Sequence, residues 1–189
     1  MIIDCITVIL RAIELSDLSL LLGIINDPEI EKMVGGGSFP VSMDRQIKWF
    51  ENYDQQSELR CIIQIKDGPA IGVIMLTNID WRNRTGLTHI KVKAKPEDRR
   101  KNDTFDALMG FRNYCFNELN LNCIYSNILE YNLRSRTLAK KCGSVEEGVL
   151  RQRIFKDGKY HNLIVTSTLA EDFNPLFKKY LEDRKNEIT

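Results

Sequence analysis

The order of apolar runs in this sequence predicts an α+β fold, a mixed and mostly antiparallel central sheet flanked by helices. Three observations carry that expectation. Leu59 to Val92 reads as three β-branched runs separated by polar turns, the pattern of strands that follow one another antiparallel. From Ile90 to Gly143 the pattern becomes strand, basic turn, helix, strand, polar turn, helix. Gly148 to Phe155 and Leu163 to Leu169 then form a last hairpin around Lys156-Asp-Gly-Lys-Tyr-His161.

Taken in order, Ile6 to Arg11 is short and β-branched and reads as the first strand. Ser16 is placed to cap a helix rich in Leu and Ile, and Asn26-Asp-Pro28 interrupts it so that a shorter helix starts at Pro28 and runs through Met33. After the Gly35-Gly-Gly37 loop, Ser42 caps a helix carrying Ile47, Trp49 and Phe50. Strands are expected over Leu59 to Lys66, Ala70 to Thr77 and Gly86 to Val92, with a polar reversal from Asn78 to Arg84. Next come a helix from about Thr104 to Leu119, a strand from Cys123 to Ile128 and a short helix ending at Cys142-Gly143. Asn174 to Glu187 is amphipathic and charge-rich, and reads as a surface helix. No internal repeat or linker interrupts the chain, so residues 1–189 are expected to form one domain with a charged helical tail from about 174.

Composition narrows the function. The 189 residues carry a formal net charge of +1, without the basic excess of a nucleic-acid binder. The 5 cysteines are scattered with no CxxC pair, which argues for reduced thiols and against a disulfide framework or a zinc site, so no metal is expected. The N-terminus lacks the basic and apolar regions of a signal peptide, and no run reaches the roughly 18 apolar residues of a membrane span. The expectation is a soluble, cytoplasmic protein with neither nucleic acid nor membrane as partner. Two strands that each hand over to a helix through a polar turn bring helix N-termini to one sheet edge, where an anionic cofactor is expected.

The segment from Pro96 to Gly143 resembles the cofactor core of the GNAT N-acetyltransferases, in particular the branch of ribosomal-protein, spermidine and nucleotide-aminosugar acetyltransferases. The resemblance begins at Leu10-Arg-Ala-Ile-Glu14, Asp17-Leu and Ile25-Asn-Asp-Pro28, and continues through Gln46-Ile-Lys-Trp-Phe50 and Ile71-Gly-Val. It ends at Asn132-Leu-Arg-Ser135, Glu147-Gly-Val-Leu-Arg151 and Phe155-Lys-Asp-Gly-Lys-Tyr-His161. It implies the GNAT fold, with strands splayed at an acyl-CoA site, and transfer of an acyl group from acetyl-CoA to a primary amine by direct attack.

Carried over position by position, the resemblance implies a site. The diphosphate turn matches Arg99-Arg-Lys-Asn-Asp-Thr104, where both family glycines are replaced, by Asn102 and Thr104. Asn102 tolerates a left-handed conformation, Thr104 can cap the helix, and Arg99, Arg100 and Lys101 supply cations. Asp103 must point outward to leave room for an anion. The oxyanion donor is a backbone N–H in Val92, Lys93 or Ala94. The Glu that many relatives use as base is Leu87 here, and His89, two residues on and on the same face of a strand, is the candidate base. The Tyr used by some relatives is Ala139, so Ser135 is the candidate near the leaving sulfur and Asn132 a contact to the pantetheine arm. Trp81 and Tyr131 are candidate substrate contacts.

Three readings stay open on this footing. One is an acyl-CoA-dependent N-acetyltransferase of a small amine (an aminosugar, an amino-acid derivative or a polyamine), with a protein N-terminus left open as substrate. Another is a non-catalytic GNAT-fold module, suggested by the lost glycines, the lost Glu and Ser144 in place of the family Phe. The last is an acyltransferase whose donor is an acyl carrier protein. The charged tail is a surface on which a homodimer could form.

Overall fold

The computed structural model describes residues 1–36, 39–54, 57–93 and 102–188, with the side chains of 184–188 excepted. Its strands are β1 (Ile2–Asp4), β2 (Val8–Arg11), β3 (Leu59–Ile65), β4 (Ala70–Asp80), β5 (Thr85–Val92), β6 (Cys123–Leu129), β7 (Val145–Lys156) and β8 (Lys159–Leu169). The helices are α1 (Leu18–Ile25), α2 (Pro28–Lys32), α3 (Met43–Glu51), α4 (Asp103–Asn117), α5 (Leu133–Lys141) and α6 (Ala170–Ile188). One sheet of 8 strands holds them in the order β1-β2-β3-β4-β5-β6-β8-β7. Every neighbouring pair is antiparallel except β5 and β6. This is the mixed, mostly antiparallel α+β sheet that the sequence predicts.

Each face of the sheet buries a core. Phe111, Met109 and Phe116 of α4 and Phe173 of α6 pack on one face against Ile63, Ile74 and Leu76. Leu18 and Leu21 of α1 cover the other face over Ile62, Val73 and Met75, where Trp49 and Phe50 of α3 pack as well. The alternating apolar pattern of β3 and β4 supplies both cores at once, as a sheet covered on both sides requires.

Several boundaries differ from the sequence expectation, each for a physical reason. The expected first strand, Ile6 to Arg11, begins only at Val8 as β2, and a further strand, β1, precedes it; between them the Asp106 carboxylate draws in the backbone N–H groups of Ile6 (3.2 Å), Thr7 (2.6 Å) and Val8 (3.3 Å) and bends the chain. Ahead of α1, Glu14 rather than Ser16 caps a 3₁₀ turn at Leu15–Asp17, with Asp17 closing a capping box and pairing with Arg11 at 2.7 Å. β4 runs on to Asp80 because a register shift between Thr77 and Asp80 absorbs the left-handed Asn78. Asn102, not Thr104, occupies the cap of α4, with φ −122°, so it does not use the left-handed conformation. The tail helix is no mere surface element: Phe173 and Tyr180 are buried, and the Tyr180 hydroxyl donates to Asp106.

The parallel pair fixes the position of the site. β5 and β6 are in register only at Thr85↔Cys123, Gly86↔Ile124 and Leu87↔Tyr125. Beyond them β5 stays with β4 up to Val92, and β6 stays with β8 up to Leu129. Past Leu87 and Tyr125 the two strands no longer pair while each keeps its outer neighbour, and a V-shaped gap opens between them.

Candidate active site

The edges of the V carry backbone groups with no strand opposite them. In an antiparallel ladder hydrogen-bonding residues alternate. The Lys93 N–H donates to Ile71 O at 2.7 Å, which sets the phase: Lys91 and His89 bond to β4, while Ile90 and Val92 present their N–H and C=O groups to the gap. On the other side Ala170 N–H donates to Asn122 O at 2.9 Å, so Asn127 and Leu129 face the gap from β6. An extended arm containing amides could lie between them as an added strand. Gly72 brings β4 close to β5 here, since a Cβ would run into the Lys91 carbonyl.

A cavity of about 1470 Å³ passes through this opening, lined by β5 from Thr88 to Val92, the first turn of α4, Ser126 to Ile128 of β6, and Asn132 and Ser135 at the start of α5. On the face covered by α1 and α3, one cross-strand row reads Arg60, Met75, His89. Lys91 stands two residues along β5 from His89 and therefore points to the same side. Arg60 donates to Met75 Sδ at 2.8 Å, pairs with Glu58 at 2.5 Å, and lies over the rings of Trp49 (5.4 Å) and Tyr53 (5.7 Å).

His89 opens into this cavity, and its Nε2 lies 3.2 Å from Thr77 Oγ1. With the Thr77 hydroxyl proton directed at Leu87 O (3.5 Å), Oγ1 accepts from Nε2–H and leaves the Nδ1 lone pair unused. Surrounding protein, then the positive charges of Lys91 and Arg60, hold the His89 pKa below its ordinary value, with Glu58 opposing them. The ring is therefore neutral at pH 7, the state in which an imidazole accepts a proton.

The other residues singled out by sequence are placed as follows. Ser135 lines the cavity, and its backbone N–H is capped by Asn132 Oδ1 at 3.0 Å. The Asn132 amide donates to Met33 O at 2.9 Å, and the Tyr131 hydroxyl to Lys32 O at 2.6 Å. Lys156 donates to Glu31 O at 2.8 Å, so three donors seize the last carbonyls of α2 and hold it at the cavity mouth. Tyr131 lies edge-on to His161 at 4.8 Å, away from the V itself. Val92 lines the cavity, whereas the Lys93 ammonium reaches Asp27 (2.7 Å) and Gly23 O (3.0 Å). Trp81 is 54% exposed and belongs to a separate, smaller cavity beside Asp54, Glu58 and Asn78, so it does not join the others. Ala94, Arg99, Arg100 and Lys101 lie outside the described residues.

Asp103 does not point outward. It is 3% exposed, lines the cavity at the first turn of α4, and neither carboxylate oxygen has a hydrogen-bond partner among the described residues. Thr104 stands inside that turn and also lines the cavity. Deeper along α4, Arg112 is 1% exposed and donates to Cys142 O at 2.6 Å and Ser144 Oγ at 2.9 Å. Ser144 thus serves a buried guanidinium where the family carries Phe. Arg60, Thr77 and Lys91 went unmarked in the sequence. Period-2 alternation from His89 would have found Lys91, but Arg60 needs the β3–β4–β5 register.

Residues 7–145 match the model of the acetyltransferase (GNAT) domain. An uncharacterized SPbeta prophage-derived N-acetyltransferase, YokL, of Bacillus subtilis is 27% identical over 164 residues, 87% of this chain and 90% of its own. The spermidine N(1)-acetyltransferase of Vibrio cholerae is 24% identical over 154 residues, 82% of this chain and 88% of its own. In fold, the chain superposes with TM-score 0.81 on the crystal structure of the Vibrio cholerae spermidine N-acetyltransferase in complex with CoA and spermine, at 24% identity, covering 88% of this chain and 98% of that one.

Proposed function

The chain belongs to the GNAT acetyltransferases, acetyl-CoA-dependent enzymes, and we propose that it moves the acetyl group to a primary amine inside the V between β5 and β6, with His89 as general base. The observation that carries this reading is the pairing of the two features in one cavity: strand edges with no strand opposite them among the described residues, and a neutral imidazole at their side. Acetyl-CoA supplies an activated carbonyl on an extended diamide arm, and the backbone groups of Ile90, Val92 and Asn127 fit such an arm.

His89 Nδ1 takes a proton from the incoming ammonium, since only the free amine can attack. The Val92 N–H receives the charge that builds on the carbonyl oxygen, because the Lys93 N–H is already spent on Ile71. As the intermediate collapses, the surplus proton of the attacking nitrogen passes to the departing sulfur, with the Ser135 hydroxyl at the first turn of α5 hydrogen-bonded to that sulfur. Asn132 acts by fixing that turn. Walls of Ile90, Ile128 and Leu138 exclude water and so strengthen each of these interactions.

One observation favours a second donor. A buried Asp103 with no hydrogen-bond partner among the described residues, at the α4 N-terminus, disfavours a diphosphate, and a carrier-protein thioester would bring the same arm without one. The test is thermal unfolding with acetyl-CoA, followed by thiol release with an amine panel. At a ligand concentration a few times Kd the expected rise is on the order of 1 kcal/mol. No shift at millimolar acetyl-CoA overturns the free-CoA reading; a shift without thiol release from any amine overturns the enzymatic one.

A further inference from the structure

We propose that the amine acceptor also carries an anionic group, a carboxylate or a phosphate, which Lys91 and Arg60 receive beside His89. This deepens the acetyltransfer reading above and rests on it. Lys91 has no hydrogen-bond or ion-pair partner among the described residues, although it lines the cavity and is only partly exposed. Arg60 is held in place by Glu58 and by the Trp49 and Tyr53 rings, so its guanidinium is a fixed rather than a wandering charge. On this face of the sheet the charged groups that act on His89 are Lys91, Arg60 and Glu58, a sum of +1.

The acidic residues elsewhere in the cavity do not alter that balance. Glu29 sits at the mouth and pairs with Lys32 at 3.1 Å, and Asp103 belongs to α4, across the sheet. A half-buried ammonium without a counter-ion is unfavourable, and burial together with Arg60 lowers the Lys91 pKa. An anion on the acceptor relieves that penalty. It also offsets the two charges that depress His89, and so strengthens the base at the moment it is needed. A polyamine would bring more positive charge to the same place, a mismatch of sign that costs specificity.

Paired substrates test this. Thiol release and equilibrium binding are measured on the acetyl-CoA-loaded protein with O-phosphoethanolamine against ethanolamine, glutamate against its diamide, and spermidine. The expected result is a preference of roughly tenfold or more in kcat/KM and in affinity for the anionic member, the size of one charge-assisted hydrogen bond. In Lys91→Gln that ratio falls by about the same factor through KM, and Lys91→Arg restores it. Spermidine or ethanolamine bound as tightly as the phosphate-bearing amine overturns the proposal, as does a ratio unchanged in Lys91→Gln. An absent acetyl-CoA melting shift, or a shift without thiol release from any amine, is a different failure: the first removes free CoA as donor and the second removes the acetyltransfer reading itself.

Discussion

A neutral imidazole flanked by two cations sets the pH behaviour at the scale of single residues. Because the folded His89 pKa is lowered, the base is lost only when acid protonates it below its ordinary value of 6.5. Activity should therefore rise with pH through a limb lying under pH 6.5 and stay level above it. His89→Gln is expected to remove that limb together with roughly 100-fold of kcat, the usual scale of general-base catalysis. A profile with the same limb in His89→Gln would exclude His89 as the base. Asp103 makes the opposite kind of prediction. Asp103→Asn removes a carboxylate that has no partner among the described residues from the first turn of α4, so acetyl-CoA, titrated calorimetrically, should bind roughly tenfold more tightly. Equal affinity would mean that the diphosphate sits elsewhere. The face that His89 takes was legible because alternation from Leu87 fixes it. Ser144 was not, because its partner Arg112 lies 32 residues away and no local pattern announces a long-range hydrogen bond.

Among the elements, two junctions carry the arrangement. Asp106 binds the backbone of Ile6, Thr7 and Val8 and the hydroxyl of Tyr180, joining α4 to both ends of the chain's core. Asp106→Ala leaves buried N–H groups without acceptors, and urea unfolding should report a loss of about 3 kcal/mol at unchanged slope. The second junction holds α2 by its last carbonyls through Tyr131, Asn132 and Lys156. Lys156→Met should raise the amide exchange rate of Glu29 to Lys32 about tenfold while leaving β4 protected. The helices and the central strands were readable from caps and periodicity: Ser42 caps α3 as expected, and α2 starts at the expected Pro28, with Asp27 as its cap. The break between β1 and β2 was not, because it is imposed by a carboxylate about 100 positions downstream. The burial of α6 was missed for a related reason. Its charge pattern describes the solvent face, and Phe173 and Tyr180 reveal their role only against α4.

For the whole molecule the decisive feature is the sheet. Its order leaves one parallel pair with only the three register positions Thr85 to Leu87 matched to Cys123 to Tyr125, and that defect is where we place the site. The topology was legible as a series of resemblances in order, whereas the phase that turns Ile90 and Val92 toward the gap depends on inter-strand bonds that sequence does not display. Acetyl transfer, the role of His89 and the preference for an anionic acceptor all require a donor threaded through this one opening. A crystal structure with acetyl-CoA tests it directly. The account predicts the pantetheine amides hydrogen-bonded to the backbone of Ile90, Val92 and Asn127, with the thioester within reach of Ser135. Acetyl-CoA bound outside a closed V, with β5 and β6 paired beyond Leu87, would contradict it.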